Sequence, residues 1–238
     1  MTRSPEGFSA PRVVFFDIGQ TLVEGGDPPS RRVLSNRLNL SEKEARRVGK
    51  IMMTHPCPDP ADLSRVVGQE LPRRSLREVR RAVEFAWAEA RDSVRVIPGA
   101  GALLELLKSR GVELGVISTT WHPSYEGFRR SFAPWLSLLD HAILSYRQGI
   151  KKPALELYRR AVAGTGQPPQ ACWMVGDSWE LDMEPAAKTG MHTLWILRHP
   201  EREKAALASM LRGERRVPRW VAEDLEEAAG FFRKIMEE

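Results

Sequence analysis

Arg12-Val13-Val14-Phe15-Phe16-Asp17-Ile18-Gly19-Gln20-Thr21-Leu22 is the stretch from which the rest of the chain can be read. Val13 to Phe16 are four consecutive β-branched or aromatic residues, the mark of a strand buried on both faces. The run delivers a carboxylate, Asp17, at its tip and passes into a glycine-containing turn. Similar short apolar runs recur at 112–118, 142–145, 171–175 and 192–197, with a last brief one at 220–221. Helical periodicity fills most of the stretches between them. Buried strands alternating with helices predict an α/β fold, a doubly wound parallel sheet whose ligands sit beyond the carboxyl ends of the strands.

The interval after the first strand is different. About ninety residues separate it from the second run, far more than one crossover helix requires. Residues 23–95 read as helical throughout, with no strand. Ser41 with Glu44 and Ser75 with Glu78 have the spacing of reciprocal capping boxes. Val79, Val83, Ala86 and Ala90 fall on one helical face, and Pro56, Pro58 and Pro60 interrupt the region between the two caps. The core pattern resumes near residue 96. Pro98 lies near the start of a helix through Leu103, Leu106 and Leu107, and Gly111 lies past its end.

With 238 residues, 42% hydrophobic and 28% charged, the composition is that of a globular protein. The net charge of +5 raises the possibility of a nucleic-acid partner. However, Glu78, Glu84 and Glu214 are interspersed among the arginines at 73, 74, 77, 80, 81, 212, 215 and 216. That mixture predicts a solvated face and no nucleic-acid partner, while a basic surface favours a phosphorylated substrate. No apolar run is long enough to cross a bilayer and residues 1–11 contain no signal core, so no membrane association is expected. Residues 2–7 read as a short disordered lead-in. Two cysteines, Cys57 in a proline-flanked loop and Cys172 in an apolar run, exclude a disulfide framework and a four-cysteine zinc site. A cytoplasmic location is expected. Nothing in the sequence sets the oligomeric state.

Three further motifs follow the first. Leu114-Gly115-Val116-Ile117-Ser118-Thr119 ends an apolar strand in hydroxyl residues. Gly149-Ile150-Lys151-Lys152-Pro153 offers a lysine directly before proline, with Lys151 expected to face solvent. Met174-Val175-Gly176-Asp177-Ser178-Trp179-Glu180-Leu181-Asp182 ends a strand in Gly-Asp-Ser, with a second Asp five residues after the first. Their order and placement resemble the haloacid dehalogenase-like hydrolases over residues 13 to about 230. The resemblance implies a Rossmann-like core formed by 12–22 and 96–238, with an all-helical cap domain at 23–95. It implies a Mg²⁺-dependent phosphatase acting on a small phosphorylated substrate. Asp17 would be the nucleophile, and Ser118 and Thr119 would bind phosphate oxygens. Lys152 would neutralise the transferring group, with Thr21 in support. Asp17, Asp177 and the Gly19 carbonyl would ligate Mg²⁺, which prefers oxygen donors in few carboxylates. Asp182 would brace Lys152 or a metal-bound water.

One position departs from the family. Its first motif reads Asp-x-Asp-x-Thr, whereas here Gly19 stands at the second Asp, which in the family protonates the leaving group and later activates water. General acid–base catalysis is worth roughly 10²–10⁴-fold in rate. Dehalogenases also lack the second Asp, but they lack the Gly-Asp-Ser carboxylate as well, so Asp177 argues against that branch. A phosphonatase would need a cap lysine, and Lys43 and Lys50 lie in a charge-rich helix. Three readings remain: a phosphatase restricted to good leaving groups, one in which His122 or His55 replaces the acid, and a phospholigand-binding or scaffold protein without turnover. Trp87, Trp121, Trp135 and Trp179 read as core residues, with Trp179 set apart because it lies inside the fourth motif.

Overall fold

Strands run in chain order as β1 (Val13–Phe16), β2 (Val23–Glu24), β3 (Arg95–Val96), β4 (Glu113–Ser118), β5 (His141–Leu144), β6 (Cys172–Gly176), β7 (His192–Ile196) and β8 (Val221–Ala222). This is a computed structural model, and it describes residues 10–237, so the lead-in expected at 2–7 lies outside the described residues. Six of the strands form one sheet in the order β5-β4-β1-β6-β7-β8. Every pairing within it is parallel. The fold is the expected Rossmann-like α/β sheet, with the strand ends displaced from the expected ones by about one residue.

The helices are α1 (Ser30–Arg37), α2 (Glu42–Thr54), α3 (Pro60–Glu70), α4 (Leu76–Asp92), α5 (Ala100–Ser109), α6 (His122–Ser131), α7 (Ser145–Gln148), α8 (Leu155–Ala163), α9 (Glu184–Lys188), α10 (Lys204–Leu211) and α11 (Leu225–Glu237). Strand side chains alternate between faces, and each face carries its own apolar cluster. Val14, Phe16, Val116, Trp173 and Val175 pack with α5, α6 and α11 through Leu103, Phe128 and Phe232. Val13, Phe15, Cys172 and Met174 pack with α8, α9 and α10 through Leu157, Ala186 and Ala206. Val13 to Phe16 are all fully buried, so β1 is the middle of the molecule. Truncating one of its aromatics, such as Phe15→Ala, costs about 3–5 kcal/mol.

Helices α1 to α4 enclose a third cluster of their own, containing Leu34, Val48, Met52, Leu63, Val83 and Trp87. Both expected capping boxes form: the Ser41 and Ser75 side chains accept from the amides of Glu44 and Glu78, and each glutamate accepts in return. Asp59 caps α3 at the proline-rich interruption. One residue from outside the segment joins this cluster: Trp121, just beyond β4, packs edge-on against Trp87 at 5.7 Å.

The expectation of no strand between 23 and 95 is corrected at its edges. Val23 and Glu24 pair antiparallel with Val96 and Arg95. This ribbon closes the point where the chain leaves and re-enters the sheet, aided by the Ile97 amide on the Leu22 carbonyl at 3.0 Å. Two-residue strands are too short to display an alternating pattern, so only the tertiary pairing reveals them.

Candidate functional site

Parallel strands place every loop that follows a strand at the same end of the sheet. β1 and β6 are neighbours with Phe16 opposite Val175, so Asp17 and Asp177 leave the sheet side by side. The Asp17 amide donates to the Val175 carbonyl at 2.9 Å, which continues the ladder one residue further. Carboxylate oxygens of Asp17, Asp177 and Asp182 all lie within 4.8 Å of one another.

Lys152 holds this acidic group together. Its Nζ donates to Asp17 Oδ1 at 2.5 Å and to Asp182 Oδ1 at 2.5 Å. Unlike Asp17 and Asp177, it does not come from a strand end. Strand β5 passes into the short helix α7, and Lys152 lies in the loop beyond it. Two contacts secure that loop. The Lys152 amide donates to Thr119 Oγ1 at 3.1 Å, and Ser145 Oγ bonds both the amide and the carbonyl of Thr120 at 3.0 and 2.9 Å. Lys151 is exposed as expected.

Asp182 uses both carboxylate oxygens, since Oδ2 accepts from the Ser178 amide at 3.1 Å. It reaches back along Trp179–Met183, a π-helical turn of the wide kind frequent at functional sites. Gly176 is essential to that approach, as a Cβ there would lie 2.6 Å from the Asp182 carboxylate. The carboxylate–glycine contact thus explains the Gly of Gly-Asp-Ser on steric grounds alone.

Burial and like charge determine the protonation behaviour. Burial pushes Asp177 up to about 8, and Asp17 and Asp182 push in the same direction. Asp182 is raised to about 6 by burial, with Lys152 opposing and Asp17 adding to the rise. Burial by itself would lower Lys152, but Asp17 and Asp182 outweigh it and hold the ammonium charged. Were all three carboxylates ionised, one ammonium would leave two negative charges, the complement of a divalent cation. Asp182 is already committed to Lys152 and Ser178, so the carboxylates open to a cation are those of Asp17 and Asp177. That oxygen-only set fits Mg²⁺.

The remaining expected residues are spread around this centre. Ser118 ends β4, the strand beside β1, and is buried. Thr21 is buried with its hydroxyl unpartnered. Gly19 is exposed, and nothing lies within 4 Å of where its Cβ would be. His122 does not sit in a loop but opens α6, stacked on Trp87 at 5.7 Å with Nε2 3.3 Å from Glu126. His55 is exposed at the end of α2. Trp179 packs on Trp195 at 5.5 Å.

Three contributors are absent from the sequence reading. Tyr158 lies on α8, and its hydroxyl donates to the Leu181 carbonyl, anchoring the turn that carries Asp182. Trp195 Nε1 donates to the Asp177 carbonyl at 2.8 Å. Ser145 locks two motif loops together, although it reads as a strand end. Each lies in an apolar helix or strand pattern, and only the fold brings its polar atom to the site.

A family model described as haloacid dehalogenase-like hydrolase matches residues 11–190. The chain belongs to that hydrolase family. A glyceraldehyde 3-phosphate phosphatase of Pyrococcus abyssi is 25% identical over 205 residues, covering 78% of this chain and 81% of its own. Among solved structures, a HAD phosphatase from Thermococcus onnurineus superposes with a TM-score of 0.56 at 21% identity, covering 92% of this chain and 97% of that one. A 2-haloacid dehalogenase from Pseudomonas syringae pv. Tomato DC3000 superposes with a TM-score of 0.65 at 17% identity, covering 94% and 99%. The two structural likenesses concern the fold alone.

Proposed function

We propose that this hydrolase is a Mg²⁺-dependent phosphatase for a small phosphorylated metabolite, restricted to leaving groups that depart without a proton. The observation that carries the proposal is Lys152, fully buried and bonded to Asp17 and Asp182 at 2.5 Å each. An ammonium so placed orients the Asp17 carboxylate and offsets charge on an incoming phosphoryl group. The similarity to a glyceraldehyde 3-phosphate phosphatase supports a small phosphorylated metabolite as the substrate, while the alkyl phosphate in that relative's name is of the kind the restriction makes slow here.

In this reading an Asp17 oxygen attacks phosphorus, the bond to the leaving-group oxygen breaks, and an aspartyl-phosphate forms. Of the two carboxylates bonded to Lys152, Asp17 has the more accessible side chain, at 12% against 2% for Asp182. Ser118 and Thr119 donate to phosphoryl oxygens. Water then cleaves the acyl-phosphate bond, releasing phosphate and restoring the carboxylate. Asp17, Asp177 and the Gly19 carbonyl would hold Mg²⁺, which supplies positive charge to the phosphoryl oxygens when bound. Asp182 keeps the Lys152 ammonium in place, Tyr158 anchors the turn that carries Asp182, and the helical segment 23–95 acts as the cap. Cys57 and Cys172 are both free, in keeping with a cytoplasmic location.

The restriction follows from Gly19, which has no side chain to give the leaving group a proton. The test is a hydrolysis screen with and without Mg²⁺, using acetyl and p-nitrophenyl phosphate beside alkyl phosphates. The expected result is Mg²⁺-dependent turnover of the first two and slow turnover of the last. Equal rates would mean that another group donates the proton. No turnover of any phosphate would favour the second reading, a phospholigand-binding protein, which the bare Gly19 position motivates.

A further inference from the structure

The excursion between β7 and β8 does more than connect two strands. It reaches the two loops that carry the acidic centre. Arg202 Nη1 donates to Gln20 Oε1 at 2.6 Å in the turn after β1. The next residue, Glu203, accepts from the Trp179 amide at 3.1 Å in the turn after β6. Residues 202 and 203 therefore bridge the loops that follow Asp17 and Asp177.

The partner chosen by Arg202 is unusual in two respects. Gln20 is neutral, so the exposed guanidinium keeps its full charge, and among the described residues Arg202 forms no ion pair. Two acids flank it in the chain: Glu201 lies against His199 Nδ1 at 3.1 Å and feels the charges of both His199 and Arg202, while Glu203 is bonded to the Trp179 amide. Gln20 also sits at φ 64°, in the left-handed region that residues with a Cβ seldom adopt. A strained position beside a site is a reason to look for a role there. A second arginine of the same segment, Arg198, lies 3.5 Å from Glu24, and its Nη1 is buried without a hydrogen bond.

Gly19 completes the picture. It removes a carboxylate at the position where the family resemblance puts the leaving group, and the space beside it is open. One residue further on stands Gln20, with Arg202 bonded to it. A leaving group at that position would meet no protein anion at residue 19 and a guanidinium bonded to the side chain of the residue after it. A guanidinium is charged at every working pH and presents a fork of donors that matches a carboxylate.

We propose that Arg202 is a specificity-determining residue, favouring substrates whose leaving group carries a second anion, with a carboxylate as the chemistry it fits. The proposal rests on the phosphatase reading for its orientation of substrate but is tested by binding. Glyceraldehyde 3-phosphate and 3-phosphoglycerate share one carbon skeleton and differ in an aldehyde against a carboxylate. Calorimetry with Mg²⁺ on the full chain should show 3-phosphoglycerate bound roughly tenfold more tightly, the scale of one hydrogen-bonded charge contact. Arg202→Met should bring the ratio close to one. Gln20→Glu should do the same with Arg202 still present, by giving it a carboxylate partner, and Arg202→Lys should retain part of the preference. A wild-type ratio near one, failure of both ligands to bind, or a preference that survives Arg202→Met and Gln20→Glu would overturn the proposal. A preserved preference without hydrolysis of any phosphate would count against the phosphatase reading alone.

Discussion

Two charged regions of this molecule contain the same kinds of pairs at similar distances. On the helical segment, Arg46 meets Glu42 at 2.7 Å and Arg80 meets Glu84 at 2.8 Å, with side chains 45–83% exposed. At the end of the sheet, Lys152 meets Asp182 at 2.5 Å with both side chains 2% exposed. Distance hardly separates these pairs, but burial does. Water screens the helical pairs and leaves each worth under about 1 kcal/mol. In the buried cluster desolvation is severe, and removing one partner leaves an uncompensated charge. The arginines that gave the chain its net positive charge are therefore mostly solvent chemistry, while a handful of buried charges forms the proposed catalytic centre.

The sharpest way to break this contrast is Lys152→Met. It should destabilise the metal-free protein by about 3–5 kcal/mol in denaturant unfolding and abolish phosphate hydrolysis. A loss within about 1 kcal/mol would mean that Asp17 and Asp182 neutralise themselves at little cost, and the cluster would then differ less from the surface pairs than its burial suggests.

Gly19→Asp probes the same cluster from the accessible side. Open space at its Cβ accepts the new side chain. Alkyl-phosphate turnover should rise by something like 10²–10⁴-fold, the contribution of a general acid. Steady-state rates on glycerol phosphate would measure it, and an unchanged rate would show that the missing carboxylate is not what limits catalysis.

Protonation gives a smaller, graded effect. The carboxyl of Asp177 titrates at about 8 in the metal-free protein because burial, then Asp17 and Asp182, disfavour its charge. A carboxyl with a raised value keeps its proton below that pH, and the proton competes with a cation. Apparent Mg²⁺ affinity should therefore fall as pH drops from 8 to 6 and level off above about 8. The same sign makes the metal-free protein lose stability as pH rises between the ordinary carboxylate range and 8. Asp177→Asn removes that penalty and also the Mg²⁺-induced rise in Tm. Thermal unfolding at pH 6 and pH 9, with and without Mg²⁺, separates these outcomes, and an Mg²⁺ response that survives in the variant would remove Asp177 from the donor set.

The smallest effect belongs to the helical surface. Arg80→Ala should change stability by no more than about 0.5 kcal/mol, with activity unaltered. A larger loss in urea unfolding would mean that the exposed pairs form a network rather than isolated contacts.

Much of this was legible in the chain itself. Apolar runs ending in Asp17, Ser118 and Gly176-Asp177 marked the strands and the end at which the site would lie, because a buried parallel strand must be apolar throughout. The capping boxes at Ser41 and Ser75 marked helix starts to the residue, because their chemistry is local. The identity of the motif residues likewise singled out Asp17, Lys152, Asp177 and Asp182 as one group. What the sequence left open depends on approach across the fold. Lys152 reaches the site from beyond α7 rather than from a strand, and Asp182 gets close only because Gly176 lacks a Cβ. The hydroxyl of Tyr158, the indole of Trp195 and the guanidinium of Arg202 lie in patterns that read as core or as solvated charge, yet they bond to motif loops 18 to 182 residues away. Periodicity and capping encode neighbours along the chain. Contacts between distant loops are set by how the strands order themselves in the sheet, and that ordering only the tertiary structure decides.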